Sequence, residues 1–500
     1  MTDRRRLGSA AAIVAGGVLL SRLLGFGREV VIAALLGRTA QADLYQYAFA
    51  IPDYAYYLVA GGFLSITLIP ILARYLESDD ARGANEAFSA VFRTVALALV
   101  AITAVAGVAA RPLVAAVFPE VVGNDAVRLV TMTRLALLLQ VLFALGALFT
   151  AGQFVRRRFL VPALGPIVYN AGIIAGGAIG SLMGNPSPEA FLLGGVGGAL
   201  IGSFGLQWLG AHAVGVRLVR PPRHHPAVRE YLTLAVPLMV GQTVIALDEQ
   251  WPRWFGQFGP AGTTAGLQWA RRLTMLPVGV IAQAAGVAAY PFLARLAARG
   301  DDEGLRRTVN RSIRAGVTIA APVTAVVVLA SEPLVRLAFQ WGAFTTQDTR
   351  VVAGLLGLYA LAIPVWVLHQ VVTRAFYAER RMWTPVVLGT AVTAVTVPSL
   401  FWVRGNGTGI AAVSTAAVSA YGLLIAIAWY RSTGRRDVAQ MGTFAVRVVT
   451  AAALATLLAG GVRFGPIGDA VTWVVAFGGI GTAIGLDEIP RAARRLLRRA

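Results

Sequence analysis

Residues 94–110 read TVALALVAITAVAGVAA, a run without a charged side chain between Arg93 and Arg111. A helix of about 20 apolar residues, rising 1.5 Å per residue, crosses the roughly 30 Å of hydrocarbon in a bilayer. Similar runs, separated by short polar loops, follow one another along the whole chain. The pattern predicts an all-α, polytopic membrane protein of about fourteen transmembrane helices. The predicted span centres are Ile32, Phe63, Leu99, Leu139, Ile174, Ile201, Val240, Ala284, Val323, Ala360, Ala391, Leu423, Ala455 and Val475.

The composition agrees with a membrane protein. Of the 500 residues, 57% are hydrophobic and only 14% are charged, and the mean hydropathy is +0.68. Soluble domains carry about 25% charged residues. The sequence has no cysteine, which excludes disulfides, thiolate catalysis and cysteine-ligated metals.

The distribution of positive charge predicts the orientation. The net charge is +20, and all 44 basic residues are arginine. Most of them lie in the N-terminus, the C-terminus and every second loop, whereas nucleic-acid binding would not require that alternation. The positive-inside rule therefore predicts that both termini are cytoplasmic, with the basic loops in contact with anionic membrane lipids. No nucleic-acid partner is expected.

Two halves of the chain resemble each other. Residues 68–80 read LIPILARYLESDD, and residues 289–302 read AYPFLARLAARGDD, so that Pro70 aligns with Pro291 and Arg74 with Arg295. An even number of spans separates the two copies, which predicts parallel repeats that form two lobes, an architecture typical of transporters. The predicted domains are an N-lobe of spans one to six (1–220), a C-lobe of spans seven to twelve (221–435), and two extra spans with a basic tail (436–500).

Charged residues inside the first span point to a polar interior. A charge at the bilayer centre costs roughly 3 kcal/mol unless it faces a partner or water. At 100° per residue, Arg22, Gly25 and Glu29 share a helix face, whereas Arg28 points about 100° away. We expect these charges to line a cavity, with the helix opened at Gly25 to Gly27.

Further charges extend this hypothesis. Asp43 lies at the start of span two, and Arg271 and Arg272 lie in span eight. Because guanidinium groups bind phosphate bidentately, an arginine cluster at this depth suits a diphosphate-bearing substrate. Three alternatives stay open: Arg28 and Glu29 could form a structural ion pair, Arg271 could extend to the membrane interface, and Asp43 could cap a helix.

Other polar residues allow two readings each. Asp248 and Glu249, near the outer end of span seven, bind a coupling cation or lie in a wet loop. Asn170 donates hydrogen bonds into a cavity or packs between helices. His369 is expected to pack between helices, and no metal site or cofactor is predicted, although transport could be coupled to an ion gradient or to the membrane potential.

Four stretches together resemble the MurJ/MviN lipid II flippase family, within the multidrug/oligosaccharidyl-lipid/polysaccharide (MOP) superfamily. Residues 21–75 read SRLLGFGREVVIAALLGRTAQADLYQYAFAIPDYAYYLVAGGFLSITLIPILARY, and residues 156–170 read RRRFLVPALGPIVYN. Residues 270–296 read ARRLTMLPVGVIAQAAGVAAYPFLARL. Residues 344–385 read FTTQDTRVVAGLLGLYALAIPVWVLHQVVTRAFYAERRMWTP. The resemblance covers spans one to eleven in order.

The resemblance implies a fourteen-helix transporter with a central cationic cavity and with spans thirteen and fourteen as a groove for a polyprenyl tail. It implies that undecaprenyl-diphosphate-linked peptidoglycan precursor moves from the cytoplasmic to the outer leaflet of the bacterial cytoplasmic membrane by alternating access, without enzymatic chemistry. Cell-wall synthesis machinery is an implied partner. The positions that the family pattern carries over as substrate-binding are Ser21, Arg22, Arg28, Glu29, Asp43, Asn170 and Arg272.

The chain departs from the family pattern at several positions. Tyr56 and Tyr57 stand where the family has arginine, Gly61 stands where it has glutamate, and Arg271 stands where it has aspartate. Glu29 replaces the usual aspartate, and span eleven lacks the acidic residue that some members use for sodium. These departures bear on the coupling ion and on the identity of the glycolipid.

Alternative functions make different predictions. A flippase for another polyprenyl-diphosphate-linked glycan, of the O-antigen or exopolysaccharide type, is consistent with the same deep arginines. A cation-coupled drug exporter predicts an acidic cavity. A membrane enzyme predicts clustered carboxylates or histidines at one interface. A non-transporting scaffold predicts that the deep arginines can be neutralised without loss of function.

Overall fold

The computed structural model describes residues 2–59, 64–222, 224–282, 290–432, 435–461 and 464–489, and within that part of the chain every regular element is a helix. The helices are α1 (Thr2–Leu36), α2 (Ala40–Ala48), α3 (Ala50–Val59), α4 (Leu64–Glu77), α5 (Ala81–Val108), α6 (Ala110–Val117), α7 (Gly123–Val155), α8 (Leu160–Leu182), α9 (Pro188–Gly198), a π-helix (Ala199–Gly205), α10 (Leu206–Ala213), α11 (Pro226–Gly256), α12 (Thr263–Ala282), α13 (Tyr290–Ala298), α14 (Asp302–Leu329), α15 (Ser331–Phe339), α16 (Thr346–Ala360), α17 (Ile363–Ala378), α18 (Trp383–Trp402), α19 (Gly407–Arg431), α20 (Arg435–Gly460) and α21 (Pro466–Ala483).

The predicted fold class is confirmed. By length and composition, eight helices among the described residues could each cross a membrane, and the pair α16 and α17, bent by 43°, makes up to nine. The centres predicted at Phe63 and Ala284 lie outside the described residues. The centre predicted at Ile32 lies on α1, which also carries Arg22 and Arg28.

The chain divides into two compact units. Unit 1 contains residues 1–265 and 341–344, and unit 2 contains residues 266–340 and 345–500. In unit 1, α8 packs on α1 and α9, and α11 packs on α3, α4 and α5. In unit 2, α14 packs on α17 and α21, and α20 pairs with α21. The lobe limits predicted from the sequence stay a prediction.

The internal repeat recurs as matching elements. Helices α5 and α14 each have 28 residues, and in each unit a short helix follows, α6 or α15. Asp80 caps α5 by accepting a hydrogen bond from the backbone N–H of Gly83 at 2.7 Å. Asp301 caps α14 in the same way, from Gly304 at 2.8 Å. The aspartates that align in the two sequence copies therefore cap the corresponding helix in each unit.

The glycine-rich composition of spans five and six is explained by close helix packing in unit 1. A Cβ atom on Gly172 would lie 2.6 Å from the carbonyl oxygen of Gly194, and one on Gly176 would lie 2.3 Å from that of Ala190. Because no larger side chain fits, α8 and α9 approach backbone to backbone, as membrane helices often do at small residues.

One prediction about the first span is wrong. Helix α1 runs without interruption from Thr2 to Leu36, so it is not opened at Gly25 to Gly27. An opened turn inside the membrane leaves backbone groups without hydrogen bonds, which costs several kcal/mol per group. The glycines instead leave space: among the described residues, nothing lies within 4 Å of a Cβ built on Gly27, and only the amide of Asn170 lies within 4 Å of one built on Gly25.

Candidate functional site

The deepest charges of unit 1 form a hydrogen-bonded cluster between α1 and α8. Arg28 donates from Nη2 to Oε1 of Glu29 at 2.6 Å and from Nη1 to Oδ1 of Asn170 at 3.2 Å. The Glu29 side chain is 1% exposed and that of Arg28 is 14% exposed. The ion-pair alternative for these two residues is therefore realised, and Asn170 bridges two helices as a packed polar residue.

Asn170 is held in place by its own helix. Its Nδ2 donates to the carbonyl oxygen of Pro166 at 2.8 Å, one turn earlier in α8. Its Oδ1 therefore faces the guanidinium of Arg28, which is a geometry that a freely rotating amide would not keep. This arrangement places one cation, one carboxylate and one amide inside the bundle.

Arg22 and Ser21 lie earlier on α1. Arg22 is exposed and Ser21 is half-buried. A spacing of seven residues, close to two helical turns, puts Arg22 on the same face of α1 as Glu29, as expected. Arg22 is exposed, whereas Glu29, about two turns later on the same face of α1, is buried.

Asp43 is a capping residue, but the helix that it caps is not its own. Its Oδ2 accepts from the backbone N–H of Gly262 at 2.6 Å, and its Oδ1 accepts from that of Ala265 at 2.7 Å. Both donors lie at the first turn of α12, where N–H groups lack intrahelical partners. Asp43 is 5% exposed, so this carboxylate binds the start of α12 within unit 1.

The remaining predicted residues lie on helices α11, α12 and α17. Arg271 and Arg272 are half-buried on α12 in unit 2. Glu249 is exposed on α11, whereas the side chain of Asp248 lies outside the described part of the structure. His369 packs between Trp366 and Tyr421, with ring centroids 4.7 Å and 5.3 Å away, as its expected packing role requires.

A second charged cluster in unit 1 was missed by the sequence analysis. Arg253 of α11 donates from Nη1 to Oδ2 of Asp53 at 2.8 Å, and Gln140 of α7 donates to Oδ1 of Asp53 at 2.8 Å. Arg253 also donates to Oε1 of Gln250 at 3.1 Å. The sequence carried only part of the signal, because Asp53 is a charge within predicted span two, whereas Arg253 lies beyond Glu249 at the outer end of predicted span seven.

Arg374 was also missed. It is a lone arginine inside the apolar stretch of α17, half-buried, and it donates to the carbonyl oxygen of Ala282 at 3.4 Å within unit 2. Unit 2 also contains an apolar groove of about 840 Å³. The groove is lined from α14, α17, α19, α20 and α21, by residues that include Ile313, Val317, Leu423, Phe444, Val448 and Trp473.

Solved structures with the same fold are membrane transporters. The chain matches a structure of lipid II flippase MurJ in an inward closed conformation with a TM-score of 0.75 and 18% identity, covering 97% of this chain and 100% of that one. It matches the MATE transporter VcmN of Vibrio cholerae with a TM-score of 0.59 and 12% identity, covering 86% and 98%. The apolar helices and the shared fold define a polytopic integral membrane protein.

Sequence comparison narrows the class to one family. The family model described as lipid II flippase MurJ matches residues 32–477. The probable lipid II flippase MurJ of Rhizobium meliloti (strain 1021) is 27% identical over 474 residues, which cover 89% of this chain and 85% of the relative. The lipid II flippase MurJ of Burkholderia cenocepacia is 26% identical over 399 residues, covering 77% and 76%. The chain belongs to the MurJ family of lipid II flippases.

Proposed function

We propose that this chain moves lipid II, an undecaprenyl-diphosphate-linked peptidoglycan precursor, from the cytoplasmic to the outer leaflet by alternating access. The observation that carries the proposal is Arg28, a guanidinium held within α1 of a chain that matches the MurJ family model over residues 32–477. Transport makes and breaks no covalent bond, so the chain needs binding groups and no catalytic ones.

The anionic diphosphate accounts for the choice of arginine. Guanidinium stays charged when it is partly desolvated and binds phosphate oxygens through two parallel N–H donors. Arg22 is accessible on α1, Arg28 is held by Glu29 and Asn170, and Arg272 contributes a half-buried cation in unit 2. Ser21 has a secondary role, and Asp43 acts through the start of α12.

The apolar groove of unit 2 suits the polyprenyl tail. Its walls are almost entirely hydrocarbon, and α20 and α21, the two spans beyond the sequence repeat, supply Phe444, Val448 and Trp473. A tail of repeated isoprene units is stabilised by burial against such walls at about 25 cal/mol per Å². Spans thirteen and fourteen then have a purpose that the repeat alone does not explain.

The family assignment and the charge distribution support further expectations. We infer a location in the bacterial cytoplasmic membrane with both termini cytoplasmic, contact of the basic loops with anionic lipids, and an association with cell-wall synthesis machinery. The driving force is an ion gradient or the membrane potential, with no cofactor.

Complementation tests the proposed function. A strain depleted of its own lipid II flippase is supplied with this chain, and lipid II exposed on the outer leaflet is measured with an impermeant probe. Restored exposure and growth support the proposal. Failure to restore exposure by protein that is present and folded in the membrane contradicts it.

A second candidate is a flippase for another polyprenyl-diphosphate-linked glycan. The departures at Tyr56, Gly61 and Arg271 favour it, because they change polar positions of the family pattern while the deep arginines stay. Mass spectrometry of lipids that co-purify with the protein separates the two candidates: a muramyl pentapeptide headgroup supports lipid II, and another glycan supports the alternative.

A further inference from the structure

The missed cluster of unit 1 connects three helices. Asp53 comes from α3, Gln140 from the middle of α7, and Arg253 from α11. Arg253 is 8% exposed, and the Asp53 side chain is 27% exposed. The cluster is therefore a nearly buried ion pair with one partly accessible carboxylate.

Donors in this cluster lack acceptors. Nε of Arg253 and Nε2 of Gln250 are buried and have no hydrogen-bond partner in the part of the chain that the structure describes. Gln250 is 0% exposed. A buried donor without an acceptor costs about 1–3 kcal/mol, so the site as it stands is incomplete. Both groups are N–H donors, so the partners that would complete their hydrogen bonds are acceptors, such as the oxygens of a ligand.

The cluster has the same construction as the one around Arg28. In both, a guanidinium is held by a carboxylate and an amide oxygen: Glu29 and Asn170 for Arg28, Asp53 and Gln250 for Arg253. A resident carboxylate occupies the position that an anionic ligand takes on a guanidinium. Arg253 thus has the geometry of a binding group that is neutralised while no ligand is present.

The charges around Arg253 restrict the kind of ligand that could bind there. Glu249 lies one turn before Arg253 on α11 and is exposed, and a carboxylate inside a membrane helix faces water rather than lipid. This face of α11 is therefore accessible to a polar group. Asp53 and Glu249 both repel an anion, so a ligand displaces Asp53 only if its bonds to the donors outweigh that repulsion. A diphosphate has several oxygens, which can accept from the guanidinium of Arg253 and from Nε2 of Gln250 together.

We propose that Arg253 is a further oxyanion-binding residue for the transported lipid, held by Asp53 until the diphosphate of that lipid displaces the carboxylate. The proposal rests on the proposed function, since it takes the substrate to be a polyprenyl diphosphate. Nε of Arg253 and Nε2 of Gln250 then donate to phosphate oxygens. Gln140 stays hydrogen-bonded to Asp53 after that carboxylate has moved away from Arg253.

Binding measurements on the purified full chain in nanodiscs test the proposal, with undecaprenyl diphosphate as the probe. Replacing Arg253 by glutamine (R253Q) removes the cation and should weaken binding about tenfold, whereas R253K should keep part of the affinity. Replacing Asp53 by asparagine (D53N) removes the competing carboxylate and should strengthen binding several-fold. The control is R134Q, because Arg134 is an exposed arginine of α7 outside this cluster, where it donates to the carbonyl oxygen of Gly107; R134Q should bind the probe as the wild type does.

The direction of the D53N effect separates binding from structure. Weaker binding in D53N, by as much as in R253Q, shows that the pair only holds helices together and overturns the proposal. Lipid II and undecaprenyl phosphate are compared as further probes. A loss in R253Q that appears with lipid II alone assigns Arg253 to the peptide carboxylates and overturns the diphosphate assignment, whereas an equal loss with undecaprenyl diphosphate supports it.

The proposal and the proposed function fail in different ways. If the wild-type protein binds no polyprenyl diphosphate, the proposed function fails. If the wild type binds it and R253Q binds it equally well, only the role of Arg253 is contradicted. Folding of each variant is verified by its thermal unfolding in the same nanodiscs.

Discussion

Arg157, in the stretch RRRFLVP of unit 1, and Arg380, in the similar stretch ERRMWTP of unit 2, share an unusual backbone conformation, with φ of 56° and 60°. Arg157 lies between α7 and α8, and Arg380 lies between α17 and α18. Residues other than glycine rarely adopt this left-handed conformation, because Cβ crowds the backbone. The recurrence shows that the two units share their turn geometry as well as their helices.

The turn at Arg157 gives the first prediction. Valine is β-branched and tolerates the left-handed conformation poorly, so R157V should lower the free energy of unfolding by about 1–2 kcal/mol. Arg158 is a neighbouring exposed residue without a positive φ, so R158V is the matched control. Thermal unfolding in detergent compares the two. An equal loss in both would mean that the effect comes from the lost arginine charge instead of the backbone.

The cap of α14 gives the second prediction. D301A removes the acceptor of the Gly304 N–H, 2.8 Å away, and should cost about 1 kcal/mol. D302A removes a carboxylate from the same helical turn without removing the cap, and it should cost less, about 0.3–1 kcal/mol through the helix dipole. Chemical denaturation of the two variants measures the difference. A larger loss in D302A contradicts the capping role.

The contact between Gly342 and α1, within unit 1, gives the third prediction. A Cβ on Gly342 would lie 2.3 Å from the carbonyl oxygen of Ala34, to which Ala343 donates its N–H at 2.7 Å. Gly342 has φ of 57° and Gly123 has φ of 62°, but in the described part of the chain nothing lies within 4 Å of a Cβ on Gly123. G123A therefore measures backbone strain alone, about 1 kcal/mol, and G342A should lose clearly more stability. Equal losses in a thermal unfolding assay would show that the contact with α1 yields without cost.

The buried pair of α1 gives the fourth prediction. R28A removes the guanidinium that holds Glu29, whose side chain is 1% exposed, and should destabilise the protein by about 3 kcal/mol. The double variant R28Q/E29Q replaces both charges with neutral amides, leaves no unpaired buried charge, and should be clearly more stable than R28A. Both should lose lipid II binding. A double variant that is less stable than R28A contradicts the ion-pair account. Because the double variant is expected to be the more stable of the two, it is the better variant for testing transport.

The sequence predicted the fold class and the repeat well, because apolar runs, arginine placement and the offset between Pro70 and Pro291 are properties of the chain itself. It also singled out Arg28, Glu29 and Asn170. It could not show that they bond to one another, because the contact of Asn170 with Arg28 depends on how α8 packs on α1.

The wrong and missing predictions have physical reasons. Gly25 and Gly27 lie inside an unbroken α1, and in a sequence such glycines look the same as glycines that open a helix. Arg253 was missed because its partner, Asp53, lies 200 positions earlier, and only the packing of α11 on α3 brings the two together. Asp43 was considered as a helix cap, but only the folded structure shows that the helix it caps is α12.

The most direct measurement of the central claim is the rate at which purified protein moves fluorescent lipid II across the bilayer of proteoliposomes. If the chain transports lipid II and needs Arg28 to do so, the translocation rate of the wild type should be well above that of protein-free vesicles. The rate of R28Q/E29Q should fall to the protein-free value. No translocation of lipid II by folded wild-type protein, under either an ion gradient or an imposed membrane potential, would contradict it.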